Sequence, residues 1–95
     1  MIGGFSQKEI EQEHRDLVNA NLAGINSKLA VNATAWTVDA VFSQVVAGKN
    51  YFFHLTDNNG AQYSVCIYVP LPHTGAPAEV ASGYPGHVPA TNPNQ

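Results

Sequence analysis

The hydrophobic residues of this chain change their spacing once, near Thr34, and this change constrains the fold more than any other feature. Before it, one stripe of residues recurs at steps of three and four: Ile10, His14, Leu17, Asn21 and Ile25. That spacing predicts one amphipathic helix over about residues 7–24. Ser6, with Glu9 three residues later, is a candidate capping box at its start, and Gly24 is a candidate stop signal.

After Thr34, apolar and polar residues alternate, which is the pattern of half-buried strands. Such runs cover about residues 36–43, 49–56, 62–69 and 79–84. The segment Asp57-Asn58-Asn59-Gly60 between two of them has ordinary polar turn chemistry. We therefore predict an α+β fold, in which a single helix lies across one face of an antiparallel sheet.

The length of 95 residues predicts a single domain covering residues 1–95. Residues 1–5 contain two adjacent glycines, and we expect them to form a flexible N-terminal arm. Residues 85–95 contain Pro85, Pro89 and Pro93. A segment of that composition cannot extend a ladder of strands, so we predict that it is disordered or polyproline-like.

Charge and cysteine usage exclude several classes of function. The net charge is −3 and the four Lys and Arg residues are scattered, which argues against a nucleic-acid partner. No segment approaches the ~18 apolar residues of a membrane span, so we expect no membrane partner. The chain has one cysteine, Cys66, and its first residues lack the pattern of a signal peptide. These features predict a cytoplasmic protein.

Cys66 raises one catalytic alternative, because His54 on a neighbouring predicted strand could act as its base in a small hydrolase. A lone cysteine in an alternating strand is more often a small hydrophobic residue. The four histidines also lack the spacing of a metal site. We therefore predict no enzymatic activity, no catalytic residues, no metal and no cofactor.

The first predicted hairpin has an unusual tip, made of Gln44, Val45, Val46, Ala47 and Gly48. Turns favour Gly, Asn, Asp, Pro and Ser for reasons of backbone geometry. Two adjacent valines at a tip either tuck into the core or form a surface that meets a partner. The residues alone leave both interpretations open.

Three segments in order resemble the cystatin family. They are Gly4 before the helix, Gln44-Val45-Val46-Ala47-Gly48 in the first hairpin, and Leu71-Pro72 in a later one. The chain is most similar to the stefins, or type 1 cystatins, which lack disulfides. Val80-Ala81-Ser82-Gly83-Tyr84 also resembles the last stefin strand, so the resemblance spans residues 3–84.

The resemblance implies a cystatin fold, with one long helix packed across a curved antiparallel sheet of about five strands. It also implies reversible, tight inhibition of papain-like, cathepsin-type cysteine proteases, through an apolar wedge that fills the active-site cleft. The protease-binding residues implied in this way are Ile2, Gly3, Gly4, Gln44, Val45, Val46, Ala47, Gly48, Leu71 and Pro72. Gln44 either anchors its loop or hydrogen-bonds the protease.

Two further expectations accompany this interpretation. The alternative function is a cystatin-fold module that binds another protein without inhibiting proteases. We expect a monomer that can also form a domain-swapped dimer, because the strands flanking residues 44–48 can open and exchange between chains.

Overall fold

A computed structural model of the protein describes residues 4–92, which form one antiparallel sheet with helices on one face. The strands follow each other in the order β1-β2-β3-β4-β5. Their bounds are β1 Ser6–Lys8, β2 Trp36–Val46, β3 Gly48–Asp57, β4 Gln62–Val69 and β5 Glu79–Pro85. The helices are α1 Gln12–Ala20 and α2 Leu22–Leu29, and a 3₁₀ turn covers Pro72–Thr74. The predicted α+β class is confirmed.

The predicted helix over residues 7–24 is wrong at both ends. Ser6 does not cap a helix, because residues 6–8 pair with the edge of β2, where Ser6 lies opposite Ser43. The helix begins after Glu11, whose backbone N–H donates to Nδ1 of His14 at 2.9 Å. Because residues 6–8 pair with a strand more than thirty residues away, the helix begins about one turn later than predicted.

The helix is also divided at Asn21 and continues past the predicted stop. The backbone of Asn21 leaves the helical region, and its side-chain amide donates to Leu17 O at 2.8 Å. Gly24 lies inside α2, where a Cβ atom would come within 3.2 Å of Val80 Cγ2. This glycine serves close packing of α2 on β5, and α2 ends at Ala30 in the left-handed conformation. No helix within residues 4–92 is long and apolar enough to cross a membrane.

The main core lies between the helices and the sheet. Its fully buried members include Val18 and Ile25 from the helices and Val41, Phe53, Leu55, Val65 and Ile67 from the sheet. A register shift between Val38 and Ala40 interrupts the simple alternation expected for β2. Beyond the shift Val41 faces the core, while Phe42 contacts the ring of His54 on the opposite face.

That opposite face of the sheet, called the outer face below, carries a second buried layer. Phe52 and Cys66 are fully buried there but do not belong to the main core. The rings of Phe5 and Tyr84 flank Phe52, with centroids at 6.0 and 6.3 Å. A single helical layer does not cover this face, so other parts of the chain must cover it.

The tail, residues 86–92, crosses the outer face and corrects the prediction of disorder for its part of residues 85–95. Ser64 Oγ donates to Gly86 O at 2.7 Å and accepts from Val88 N at 3.0 Å. His54 Nε2 donates to Val88 O at 2.7 Å, and the His54 and His87 rings stack at 4.7 Å. Side chains of the sheet thus satisfy the backbone of a segment that cannot join the ladder. Pro85 itself ends β5, and Pro93 lies outside the described residues.

Candidate functional site

Strand register brings three separate segments to one end of the sheet. The tip between β2 and β3 lies beside the exit of β4, because Lys49 is opposite Val69. β1 runs antiparallel to β2 with Ser6 opposite Ser43, so its N-terminal side leads to the same end. We call the group made of Gly4, residues 44–48 and residues 71–72 the loop end. All three segments suggested by the sequence therefore meet there.

The apolar exposure of the molecule is concentrated at the loop end. Within residues 4–92, the large hydrophobic side chains with substantial exposure are Val45 at 75%, Leu71 at 40% and Val46 at 38%. The hairpin does not tuck its tip into the core, which was the alternative that the sequence left open. These three side chains are the exposed apolar surface that the loop end presents to solvent.

Gly48 gives the hairpin tip its shape. Its φ is +106°, a region that L side chains rarely adopt, and a Cβ atom would lie 2.4 Å from Val69 O. The hydroxyl of Tyr68 donates a hydrogen bond to Ala47 O from the neighbouring strand. The tip is therefore pressed against β4 and tied to it, and only glycine fits at this position.

Gln44 points inward at the base of the same hairpin. Gln44 is buried, with only 3% of its surface exposed. Its Oε1 atom accepts hydrogen bonds from Asn50 Nδ2 and Asn92 Nδ2, each at 2.9 Å. Of the two roles that the sequence left open for Gln44, the structure supports the anchor.

The second loop presents Leu71 from a compact turn. Pro72 begins the 3₁₀ turn, and Gly75 ends it in the left-handed region with a φ of +69°. Two hydrogen bonds close the turn: Thr74 N donates to Leu71 O at 3.1 Å, and Thr74 Oγ1 donates to the same atom at 2.8 Å. The fixed φ of proline and these hydrogen bonds restrict the backbone beside Leu71. The apolar contact surface of this loop is thus held on a short, ordered scaffold.

The N-terminal arm is only partly within the described residues. Gly4 is exposed, while Phe5 is half-buried with its ring against Phe52. Ile2 and Gly3, which the sequence assigned to the protease-binding set, lie outside the described residues. Phe5 therefore ties the described part of the arm to the outer face of the sheet.

The catalytic alternative built on Cys66 lacks an activated thiol. Cys66 is fully buried, and burial raises the pKa of its thiol from 9.0 to about 11. A thiol with a raised pKa stays protonated near neutral pH and is a poor nucleophile. His54, its candidate base, has Nε2 engaged with Val88 O. Within residues 4–92, no group of three or more His, Cys, Asp or Glu side chains is arranged to hold a metal ion.

Three residues that support the loop end were missed from the sequence. Asn50 carried a local signal, because asparagine is depleted in strands and this one follows the hairpin directly. Tyr68 sits on the outer face of β4 opposite Asn50, and its role depends on the close approach of the tip. Asn92 carried no signal, since it is separated from Gln44 by 48 positions.

No family model matches the chain. Solved structures do match it, and among them is one described as a secreted type 1 cystatin from Fasciola hepatica. The two superpose with a TM-score of 0.74, over 88% of this chain and 96% of that one, with 21% sequence identity. At 21% sequence identity, a superposition with this TM-score shows a shared fold. The expectation from the sequence is confirmed at that level: this chain has the cystatin fold.

Proposed function

We propose that this protein is an inhibitor of the type 1 cystatin kind, which binds papain-like cysteine proteases reversibly and tightly. The N-terminal arm and the two loops of the loop end would occlude the active-site cleft. The observation that carries the proposal is the concentration of exposed apolar surface on Val45, Val46 and Leu71. The cystatin fold of the chain and its similarity to a solved type 1 cystatin support the same function.

The loop end has the physical properties that such a wedge requires. Burying a valine or leucine side chain contributes about 1.5–3 kcal/mol each, and ordering of flexible loops on binding subtracts from that gain. β-branched valines have few rotamers to lose, and both loops are already tied by hydrogen bonds. A few well-placed apolar anchors can therefore supply most of the affinity.

The same geometry supports occlusion rather than cleavage. Val45 pairs with Lys49 and Val46 pairs with Gly48, so the peptide bonds of the tip belong to a closed hairpin. A protease cleft that receives this tip meets a turn held from both sides and no extended strand. The inhibitor needs no catalytic residue of its own, because exclusion of the substrate is sufficient.

A titration tests the proposal. Papain of known active-site concentration is mixed with increasing amounts of the full chain, and residual hydrolysis of a fluorogenic peptide is measured. We expect activity to fall in a reversible, stoichiometric manner, with a Kd of roughly nanomolar order, as interfaces of standard size can provide. Absence of inhibition at micromolar concentrations of folded protein would contradict it, and would leave the non-inhibitory binding module as the function to pursue.

A cytoplasmic location is part of the proposal and rests on the single buried thiol of Cys66. The solved neighbour is described as secreted, so the location needs its own measurement. Fractionation of the producing cells should recover the protein from the cytosol. Recovery mainly from the culture medium would contradict this part of the proposal and leave the inhibitory function untouched.

A further inference from the structure

Three amide side chains meet beneath the hairpin, on the outer face of the sheet. Gln44 Oε1 accepts one hydrogen bond from Asn50 Nδ2 and one from Asn92 Nδ2, both at 2.9 Å. Gln44 and Asn50 are opposite each other on β2 and β3, at the base of the hairpin that carries the exposed valines. The base of the hairpin is thus bonded to itself and to the tail.

The tail reaches this point from the other end of the sheet. Gly86 N donates to Gln62 O, at the start of β4, and the bonds of Ser64 and His54 then guide the chain along the outer face. His87 Nε2 lies 3.1 Å from Leu55 O and 3.2 Å from Asp39 Oδ2. These contacts fix the path of the tail. They therefore place the Asn92 amide beneath the hairpin, where it donates to Gln44 Oε1.

The described residues leave open space beneath the hairpin. A surface recess of about 570 Å³ lies there, and its lining includes Val46, Ala47, Asn50, Tyr68 and Asn92. The main core lies on the other face of the sheet. Tyr68 ties Ala47 to β4, and the hydrogen bonds at the base add a second restraint on the tip. Mobility of a binding loop lowers affinity.

We propose that Asn92 is a positioning residue for the inhibitory hairpin, and that it acts through Gln44. Asn92 does not itself need to touch the protease. It holds the Gln44 side chain, and Gln44 holds the orientation of Val45 and Val46 relative to β3. The consequence for inhibition rests on the proposed function, while the effect on the hairpin is a property of the free protein.

The first test is a double-mutant cycle on the dissociation rate of the papain complex. We expect Asn92→Ala to speed dissociation about fivefold, because a change of that size corresponds to the loss of one neutral hydrogen bond. In a Gln44→Ala background the same change should have a clearly smaller effect, because the part of the effect that acts through Gln44 is already lost. Asn59→Ala is the matched control, since it removes an exposed asparagine amide from the turn at the opposite end of the sheet. Equal effects of Asn92→Ala in both backgrounds, or no effect in either, would overturn the proposal.

The second test uses the free protein and needs no protease. Backbone NMR order parameters of Val45, Val46 and Ala47 should fall in Asn92→Ala, while those of α1 stay unchanged. Unchanged order parameters at the tip would overturn the positioning role even if the protein proves to be an inhibitor. If the wild-type chain fails to inhibit papain, the proposed function fails, and the order parameters still decide the role of Asn92.

Discussion

Val45 and Gln44 are adjacent in the chain, yet they have opposite surroundings. Val45 is 75% exposed at the tip, while Gln44 is 3% exposed and bonded to two asparagines. Successive residues of a strand point to opposite faces, so one residue can anchor the hairpin while its neighbour is presented to a partner. The five residues of the tip therefore divide into contact residues and supporting residues.

Replacing Val45 by aspartate should weaken inhibition of papain at least tenfold, equivalent to about 1.4 kcal/mol. The carboxylate would have to be buried in an apolar contact without a partner. The thermal unfolding midpoint should change little, because the wild-type side chain is mostly in water. Thr37→Asp is the matched control, since it adds the same charge at an exposed position at the opposite end of β2. Equal inhibition by Val45→Asp and the wild type would show that the hairpin is not the wedge.

The raised pKa of Cys66 predicts how its reactivity and the stability of the fold depend on pH. A pKa of about 11 in the folded state, against 9.0 when exposed, means that folding favours the neutral thiol. The resulting stabilisation is complete below pH 9 and is lost as the pH rises towards 11. A thiol reagent should therefore label the native protein slowly at pH 8 and rapidly in denaturant.

The measurement is urea unfolding across this pH range, with Cys66→Ala as the control that lacks the titrating group. The stability of the wild type should fall more steeply than that of the variant as the pH rises. Parallel pH dependence in the two proteins, or rapid labelling of the native chain, would show that the thiol is accessible.

At the scale of the elements, packing of α2 against β5 determines where the helix can lie. Gly24 on the helix and Gly83 on the strand have no Cβ atom, and this allows α2 and β5 to pack closely. The sequence predicted a helix end at Gly24, because glycine is a common stop signal. The structure gives the glycine a different use, which depends on a strand that lies more than fifty residues further along the chain.

Gly83→Ala tests this contact. The new Cβ atom would lie 2.8 Å from Leu29 Cδ2 and 3.1 Å from Lys28 Cγ, so these side chains, or α2 with them, must shift. We expect a loss of about 1–3 kcal/mol in the free energy of unfolding, as for other overpacked sites. Ser82→Ala is the control on the same strand, because the buried Ser82 hydroxyl has no hydrogen-bond partner within the described residues. That change should be neutral or stabilising, and an equally neutral Gly83→Ala would contradict the packing argument.

At the scale of the whole molecule, the hairpin at the loop end is also the connection between two halves of the sheet. If it opens, β1, both helices and β2 of one chain can pair with β3 to β5 of another. The tail opposes this exchange in a single chain, because Asn92–Gln44 and His87–Asp39 join the two halves. The domain-swapped dimer remains a prediction, and these contacts suggest that it forms only after partial unfolding.

Incubation just below the thermal midpoint, followed by cooling and size-exclusion chromatography, should produce a dimer peak. The dimer should not inhibit papain, because the tip at residues 44–48 becomes extended when the hairpin opens. A sample kept at low temperature for the same time is the control and should remain monomeric. A heated sample that stays monomeric would contradict the prediction, as would a dimer that retains full inhibition.

The sequence by itself determined the features that depend on neighbouring residues. Alternation and turn chemistry gave strands close to β3, β4 and β5, and Asp57 to Gly60 forms the expected turn, with Gly60 N bonded to Asp57 O at 3.1 Å. The tertiary structure decided the start of α1, the register shift in β2, the path of the tail and the bond between Asn92 and Gln44. Each of these depends on atoms that are distant in the chain and meet only after folding. Local spacing carries no information about them, because their free energy comes from contacts between elements rather than within one.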